Sequence, residues 1–421
     1  MFAKPTFSHL LAGLVGLILL SIAARAESEP ELHVRDGLPN LAARAHDSSG
    51  ELRVAYLGGS ITAADGWRAL ATSYLRTLYP RLDVVEIAAG LPGTGSDLGV
   101  CRLGRDVLEQ HPDLLFVEFA VNDSSTAPAQ IERTMEGIVR QTWRANPHTD
   151  ICFVYTVSAH GLADLEAGRF QPSARAMETV AQHYGIPSIH FGLEVARQVV
   201  AGSLIFKAAA PDAGNVFSLD GVHPTPAGHQ LYLTVIKRSL PALITPAEKS
   251  PHRLPAPLHN DNWQYARLET IDSMSRSGKW VRVAPDDPNL RGVTKSSLPP
   301  TWRATEAGAS IEFTFTGREF GLLGIAAPDT GEFRVTVDDQ PPVTDTLFDA
   351  YASPTFCRQR PWFYPQKLAD GAHHVRIELT GTKLDKAAIK AKAGKPIDDP
   401  APYAVNSLTV CGILIVGSSG P

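Results

Sequence analysis

The feature that most constrains the fold is an alternation of short apolar runs with longer amphipathic segments between residues 52 and 240. Five runs are apolar almost throughout, which is typical of strands buried on both faces: LRVAYLG, LDVVEIA, DLLFVEFA, DICFVYTV and IPSIHF. Between these runs apolar residues recur at helical spacing, as in residues 67–78 and 131–142. This alternation predicts an α/β domain with a parallel sheet and helices on both of its faces.

The pattern changes after residue 240. Residues 241–262 carry five prolines and no apolar period, which indicates a linker. From residue 263 to 421, runs such as SIEFTFTGREFGLLGI and NSLTVCGILIVG alternate apolar with polar residues and are separated by turn residues. A chain of 421 residues exceeds one typical core. We therefore expect two domains, an α/β domain over 27–240 and an antiparallel, jelly-roll-like β-sandwich over 263–421.

The first 26 residues have a composition of their own. Lys4 precedes the short apolar run LLAGLVGLILLSIAA, and the sequence Ala-Arg-Ala at 24–26 fits a small-x-small cleavage site. This pattern predicts a secretory signal peptide cut near Ala26. The run is shorter than the ~20 residues that a membrane span needs, and no later segment is longer and equally apolar. We expect a secreted or periplasmic protein whose mature chain has no transmembrane segment.

Charge and cysteine content narrow the possible partners. The formal net charge is −5 and no run of Lys and Arg is present, which argues against nucleic-acid binding. The chain lacks Cys-x-x-Cys pairs and histidines at metal-ligand spacing, so we expect no metal and no organic cofactor, and no protein partner is implied. The four cysteines allow two pairs within domains, Cys101–Cys152 and Cys357–Cys411, or four buried free thiols.

Polar residues follow the ends of the predicted strands. Ser60 comes after the first strand, the glycine-rich segment 90–99 after the second, and Asn122 after the third, while Asp220 and His223 lie in the loop before the last helix. In an open α/β sheet the carboxyl ends of the strands form the ligand-binding edge. The sequence therefore predicts that these residues meet there. Taken alone, Ser60 is typical of a helix N-cap, and we expect it to begin the helix that runs through residue 78.

These residue types suit attack on an acyl carbonyl. A serine hydroxyl is a weak nucleophile that needs a base within hydrogen-bond reach, and the base predicted here is His223. A carboxylate such as Asp220 can fix the tautomer of the histidine and stabilise its imidazolium form. The attack creates negative charge on oxygen, which requires donors that are already in place. The Ser60 backbone N–H, a glycine N–H and the Asn122 carboxamide are suitable donors.

The four segments that carry these residues resemble the sequence blocks of the SGNH (GDSL-like) hydrolase superfamily. The blocks GGSIT, AAGLPGTGSDLG, FAVND and DGVHP occur in the family's order across about residues 52–240. The resemblance implies a three-layer α/β/α fold, with Ser60 as nucleophile, His223 as base and Asp220 as its orienting partner. It also implies an oxyanion hole formed by Ser60, Gly93 and Asn122.

In these blocks the glycine of the oxyanion hole has alternatives, and two other positions depart from the family's pattern. Gly93 stands where the family's loop turns under the oxyanion, but Gly90 and Gly95 are alternatives. Gly59 replaces the family's usual Asp before the serine, and Ala120 replaces its usual Gly two residues before the asparagine. The first change leaves the nucleophile intact but removes a polar contact, and the second could narrow the mouth of the site.

The sequence predicts a serine esterase that hydrolyses O-acyl esters, above all O-acetyl esters, on a carbohydrate through an acyl-enzyme. The prediction of a carbohydrate substrate rests on three observations. These are the predicted export, a resemblance to polysaccharide-deacetylating members such as the rhamnogalacturonan acetylesterases, and the presence of the second, β-sandwich domain. In that sandwich Trp302, Trp362 and Tyr364 either stack on sugar rings or pack in the core. Three alternatives stay open: an esterase for lipids or short-chain esters, an acyltransferase using the same site, and a non-catalytic carbohydrate-binding protein.

Overall fold

The computed structural model describes residues 28–47, 49–210, 215–245 and 247–418. The predicted signal peptide and its cleavage site near Ala26 lie outside the described residues. The part of the chain that is described contains no helix long and apolar enough to span a membrane.

The first domain is built on one six-stranded sheet. Its strands are β1 (Leu32–His33), β2 (Glu51–Gly58), β3 (Asp83–Gly90), β4 (Leu114–Glu118), β5 (Asp150–Tyr155) and β6 (Ser188–His190). Their order is β1-β6-β5-β4-β2-β3, and all neighbours are parallel except β1, which runs antiparallel to β6. Because the chain moves from β2 to one side for β3 and to the other side for β4, the carboxyl end of β2 lies at a topological switch point.

Helices cover both faces of this sheet, as predicted. They are α1 (Pro39–Ala43), α2 (Ser60–Ala63), α3 (Trp67–Leu78), α4 (Ser96–Asp106), α5 (Pro128–Ala145), α6 (Ala159–Glu166), α7 (Pro172–Tyr184), α8 (Phe191–Val200) and α9 (Pro226–Leu243). One group consists of α4, α5 and α7, and a second group consists of α3, α8 and α9. A short parallel pair, β7 (Ile205–Lys207) and β8 (Val216–Ser218), precedes α9. The α/β class predicted from the sequence is confirmed.

Ser60 does not begin the long helix predicted from the periodicity. It begins α2, which ends at Ala63 and is followed by Ala64 in an extended conformation with ψ 150°, and α3 starts separately at Trp67. The break is packed against α9, where the imidazole of His229 fills the space beside Gly66. A Cβ at Gly66 would collide with this ring, and the Trp67 N–H donates to His229 Nδ1 at 3.1 Å.

The second domain is an antiparallel β-sandwich, as predicted. Its elements are β9 (Ala266–Glu269), β10 (Ser275–Ser277), β11 (Val281–Arg282), β12 (Trp302–Ala304), β13 (Ser310–Gly317), β14 (Glu319–Ala326), β15 (Glu332–Val337), β16 (Val343–Thr346), β17 (Arg358–Phe363), β18 (Gly371–Leu379), α10 (Lys386–Lys392) and β19 (Leu408–Val416). One sheet has the order β10-β13-β18-β15-β16. The other has the order β11-β12-β19-β14-β17, with β9 also paired to β19.

The sandwich core holds the aromatic residues that the sequence offered as sugar platforms. Tyr364 is buried and stacks on Phe320 at a centroid distance of 5.1 Å. Trp302 and Trp362 are partly buried and pack against the same apolar cluster between the two sheets. The indole N–H of Trp362 donates to Asp345 Oδ2 at 2.7 Å. Of the two predicted roles, the structure therefore gives these residues the packing role.

The expected alternation fails in β19, because this strand is covered on both faces. All nine of its residues are buried. Val410, Ile413 and Ile415 face the interior of the sandwich. Cys411, Leu414 and Val416 instead belong to the apolar core of the first domain, where β19 and β9 lie against α4. The two domains therefore share a continuous hydrophobic interface rather than a loose tether.

The segment predicted as a linker is bound to the first domain. The helix α9 extends to Leu243, beyond the predicted boundary at 240. Further along, His252 Nε2 lies 2.8 Å from Asp150 Oδ1. The N–H groups of Leu258 and His259 donate to the carboxylate of Glu136 at 2.6 and 2.8 Å. These contacts hold the chain along the domain surface up to the start of the sandwich.

All four cysteines are buried free thiols, so the two disulfide pairs considered from the sequence are not formed. Cys101 lies in α4 and Cys152 in β5, whereas Cys357 precedes β17 and Cys411 lies in β19. Burial raises the pKa of the Cys357 thiol to about 11 and that of Cys411 to about 12. The thiolate is the reactive form of cysteine, so these side chains are protected both by packing and by protonation.

We predict that a chromogenic disulfide reagent detects these four thiols only after unfolding. The native chain, kept free of reductant, should react slowly because each sulfur is buried and protonated. The same sample in guanidinium chloride should release one equivalent of chromophore for each of the four cysteines. A titration that detects only half of the expected thiols after unfolding would show that a disulfide is present.

Candidate active site

Ser60 lies at the switch point of the sheet, directly beyond the carboxyl end of β2. The strand ends at Gly58, Gly59 occupies the N-cap position, and Ser60 is the first residue of α2. The serine is therefore both at a helix start and at the ligand-binding edge of the sheet. Its backbone N–H is one of the first in the helix and has no partner within the helix, so it is available to a ligand.

The structure brings together the three residues predicted as nucleophile, base and orienting acid. His223 Nε2 lies 2.9 Å from Ser60 Oγ, and His223 Nδ1 lies 2.6 Å from Asp220 Oδ2. The side chains of His223 and Asp220 are 51% and 55% exposed, so this chain of hydrogen bonds lies at an open surface. The geometry satisfies what serine activation requires, a base on the hydroxyl and a third group on the base.

The turn after β8 prepares Asp220 for this contact. Oδ1 accepts hydrogen bonds from the N–H groups of Val222 and His223, both at 2.8 Å, and from Ser218 Oγ at 3.0 Å. Partial burial acts to raise the pKa of Asp220, but the hydrogen bonds from His223 and from these backbone groups outweigh it and lower the pKa. The carboxylate is therefore ionised near neutral pH. It selects the tautomer with a proton on Nδ1, which leaves Nε2 as the acceptor for Ser60.

The carboxamide of Asn122 lies against the backbone beside the nucleophile. A Cβ on Gly59 would be 2.9 Å from Asn122 Nδ2 and closer still to Oδ1 and Cγ. Oδ1 is buried and has no hydrogen-bond partner among the described residues. In this geometry the carboxamide occupies the space that a side chain at position 59 would need.

Among the three candidate glycines, Gly93 differs from the other two. It is exposed, lies in a turn and has a φ of 71°, a conformation that favours glycine. Gly90 is buried at the end of β3, where a Cβ would collide with the backbone of Ala63. Gly95 precedes α4, and a Cβ there would collide with the Asp123 carboxylate. Of the three, Gly93 is the one that is exposed, in the turn beyond the carboxyl end of β3.

Sequence comparison relates the first domain to a known family. Residues 56–231 match the model of the GDSL-like lipase/acylhydrolase family. The first domain, hereafter the hydrolase domain, is similar to GDSL-like hydrolases over most of its length. This match supports the carboxylic ester hydrolase activity predicted from the sequence. No curated protein matches the chain at the sequence level.

The fold of the hydrolase domain together with that of the sandwich is found in solved structures of one two-domain esterase. A two-domain esterase, CEX, active on acetylated mannans and crystallised with mannopentaose, is 23% identical over 92% of this chain and 97% of its own, with a TM-score of 0.70. A second crystal structure of CEX gives 23% identity, coverages of 90% and 94%, and a TM-score of 0.69. An acetylxylan esterase from Geobacillus stearothermophilus, Axe2, is 18% identical over 46% of this chain and 95% of its own, with a TM-score of 0.38.

Two buried carboxyl groups of the hydrolase domain form hydrogen bonds that hold together the segments around the predicted site. Glu118 accepts hydrogen bonds from Thr62 Oγ1 at 2.9 Å and from Thr156 Oγ1 at 2.6 Å, which ties α2 to the sheet. Asp123 accepts from the Ser96 N–H at 3.1 Å and so ties the Asn122 loop to the start of α4. Burial raises the pKa of Glu118, and burial together with the nearby Asp97 raises the pKa of Asp123 to about 7.

From the sequence, Glu118 and Asp123 are expected to be structural rather than catalytic, which agrees with these contacts. A signal was present, because Glu118 interrupts the otherwise apolar run DLLFVEFA. A glutamate is rarely buried unless it has a partner. Its place in a predicted buried strand next to the site therefore indicates that it holds neighbouring segments together. Groups of His, Cys, Asp and Glu that could hold a metal ion are absent from the described residues.

We predict that Gly59→Ala lowers kcat of the hydrolase domain about 100-fold, because misplacing a catalytic group by ~1 Å costs this much. The added methyl group would collide with the Asn122 carboxamide, whose Oδ1 has no hydrogen-bond partner among the described residues to resist displacement. The measurement is steady-state hydrolysis of p-nitrophenyl acetate.

Gly104→Ala is the matched control for this variant. A Cβ at Gly104 meets nothing within 4 Å, and the residue lies inside α4. This variant should keep its kcat and gain about 0.5–1 kcal/mol of stability from the better helix propensity of alanine. Unchanged kcat in Gly59→Ala would contradict the account of Asn122 given above.

Proposed function

We propose that this chain is an exported serine esterase that removes O-acetyl groups from a carbohydrate through an acyl-enzyme. The observation that carries the proposal is the continuous hydrogen-bonded chain from Ser60 Oγ through the His223 ring to Asp220, with distances of 2.9 and 2.6 Å. The match of residues 56–231 to a family of lipases and acylhydrolases supports the same chemistry. Export rests on the predicted signal peptide before residue 27.

The first half of the reaction forms the acyl-enzyme. Ser60 Oγ attacks the carbonyl carbon of the ester while His223 Nε2 takes the hydroxyl proton. Asp220 stabilises the resulting imidazolium through its hydrogen bond to Nδ1. The bond from carbon to the sugar oxygen then breaks, and His223 gives the proton to the departing alcohol. The acetyl group remains on Ser60.

Negative charge on the tetrahedral oxygen is held by donors from three separate elements. These are the N–H of Ser60 at the start of α2, the N–H of Gly93 in the turn after β3, and Nδ2 of Asn122 beyond β4. Donors fixed in advance stabilise the transition state without reorganising during the reaction. The three elements follow the neighbouring strands β2, β3 and β4, so the sheet itself sets their relative positions.

The second half of the reaction releases acetate. A water molecule takes the place of the sugar alcohol, and His223 removes its proton as it attacks the acyl carbon. The same donors hold the second tetrahedral oxygen. The bond from carbon to Ser60 Oγ breaks, and the proton returns from His223 to the serine. The enzyme is then ready for another ester, and acetate is the product.

Exposure of the catalytic residues favours a carbohydrate over a lipid. His223 and Asp220 are each about half exposed, so a polymer chain has access to the nucleophile from the surface. A lipid esterase needs apolar surface that covers a long acyl chain, whereas an acetyl group needs little. The two-domain fold shared with an esterase active on acetylated mannans supports the same substrate class.

We predict that the purified chain releases acetate from acetylated polysaccharides and that Ser60→Ala abolishes this activity. Acetate release from acetylated mannan and acetylated xylan, together with hydrolysis of p-nitrophenyl esters of increasing chain length, provides the test. Activity should fall as the acyl chain lengthens. A fluorophosphonate probe should label the wild-type chain but not Ser60→Ala.

Other results of this experiment would select one of the alternatives. Preference for acyl chains of eight carbons or more would indicate a lipid esterase. Acetyl transfer to an added glycan in place of acetate release would indicate an acyltransferase. Failure of the probe to label Ser60, with binding to the polysaccharide retained, would indicate a non-catalytic carbohydrate-binding protein.

We predict that Asn122→Ala lowers kcat by roughly 10²–10³-fold and changes KM little, which is the usual effect of removing one oxyanion donor. Asn215→Ala is the control, because Asn215 is an exposed asparagine of the same domain whose side chain donates to the carbonyl of Ser203 at 3.2 Å. Kinetics on p-nitrophenyl acetate separate the two constants. An increase confined to KM would mean that Asn122 only binds substrate.

A further inference from the structure

We propose that Arg358, at the start of β17 in the sandwich, is a positioning residue for the reaction in the hydrolase domain. Its guanidinium holds the turn that contains Gly93, so that the N–H of this glycine is in place for the oxyanion. The inference rests on the proposed function, because it assigns a role to a residue outside the hydrolase domain in that same reaction.

The contact between Arg358 and Gly93 crosses the domain boundary. A Cβ built on Gly93 would lie 2.9 Å from Arg358 Nη1 and 4.0 Å from its Cδ. Apart from the chain neighbours of Gly93, no other described atom lies within 4 Å of that point. The guanidinium therefore rests on the one face of Gly93 that a side chain would otherwise occupy. Without it, this face of the turn would be open to solvent.

Hydrogen bonds fix both ends of the turn, and the Thr94 hydroxyl also donates to the carbonyl of Leu91 at 2.8 Å across it. At the start, the Leu91 N–H donates to the carbonyl of Gly58 at 2.9 Å. At the end, the Ser96 N–H is held by Asp123. Between them, Gly93 has a φ of 71°, and glycine samples more backbone conformations than any other residue. Contact with Arg358 therefore adds a restraint on Gly93 itself, beyond the hydrogen bonds of its neighbours in the turn.

Arg358 is itself held rigidly by its own domain. Its Nη2 forms an ion pair with Asp349, the Oδ1 of which accepts from the N–H groups of Tyr351 and Ala352 at 2.8 and 3.2 Å. The ring of Tyr351 lies 5.6 Å from the guanidinium carbon, within the range of a cation–π contact. Lys390 of α10 fastens the same loop by donating to the carbonyl of Ala352 at 2.8 Å.

The charge of Arg358 adds to this positioning. The oxygen of the tetrahedral intermediate becomes negative at the Gly93 N–H, and a guanidinium against that glycine places a permanent positive charge nearby. Such a charge stabilises the transition state more than the neutral ester. Because Gly93 follows β3 and Arg358 begins β17, the reaction in the first domain becomes dependent on the docking of the second.

The test compares Arg358→Met and Arg358→Lys with the wild-type chain, using p-nitrophenyl acetate and acetylated mannan as substrates. We expect Arg358→Met to lower kcat about tenfold or more on both substrates, with KM little changed, because a displaced donor weakens only the transition state. Arg358→Lys keeps the charge but loses the planar fork, so it should recover part of kcat. Arg334→Met is the control, since this half-exposed arginine of β15 pairs only with Glu378 at 3.7 Å.

Several results would overturn this inference while leaving the proposed function intact. Wild-type kcat in Arg358→Met is the first. A rise in KM for acetylated mannan alone would show that Arg358 contacts the carbohydrate instead. A loss of activity that follows a lowered melting temperature, with no recovery in Arg358→Lys, would show a purely structural role. If the wild-type chain hydrolyses p-nitrophenyl acetate but no polysaccharide, the carbohydrate proposal fails and the Arg358 comparison still stands on the small ester.

Discussion

The position of β2 between β3 and β4 is the constraint on which the candidate site depends. Because the chain leaves β2 in opposite directions for these two neighbours, no connection covers the carboxyl end of β2. The peptides that follow the three strands lie at this edge of the sheet, and they carry Ser60, Gly93 and Asn122. Only the Asp220–His223 turn comes from outside the sheet, and it is placed by β8 and α9. The geometry of a parallel sheet therefore performs most of the preorganisation.

Much of this site was predictable from the sequence, because each residue follows a run that reads unambiguously as a buried strand. The break between α2 and α3 was not predictable, since it is packed against His229, a residue 163 positions beyond Gly66 that fills the space beside it. The contact between Gly59 and Asn122 was hidden in the same way. Such long-range contacts leave no periodic pattern in the local sequence.

One strand of the sandwich does not follow the alternation of apolar and polar residues that is typical of a strand with one exposed face. In β19 one face belongs to the sandwich and the other to the hydrolase domain, so the strand is apolar throughout, like a strand of a parallel sheet. The cysteines follow the same logic. An exported chain suggests disulfides, but Cys101 and Cys152 lie in a helix and a strand of different layers, and Cys411 is part of the interface. Their role in this fold is that of small buried apolar side chains.

The interface joins stability to catalysis because the same elements serve both. The helix α4 begins directly after the Gly93 turn, receives the Asp123 cap at its start, and packs along its length on β9 and β19. The sandwich thus supports this turn in two ways. Its strands β9 and β19 pack on α4, which follows the turn, and Arg358 contacts Gly93 directly. His223 and Asp220 are about half exposed, whereas Glu118 and Asp123, which support the surrounding segments, are buried. An open surface on a buried, two-domain support is consistent with the proposed hydrolysis of a polymer-bound ester.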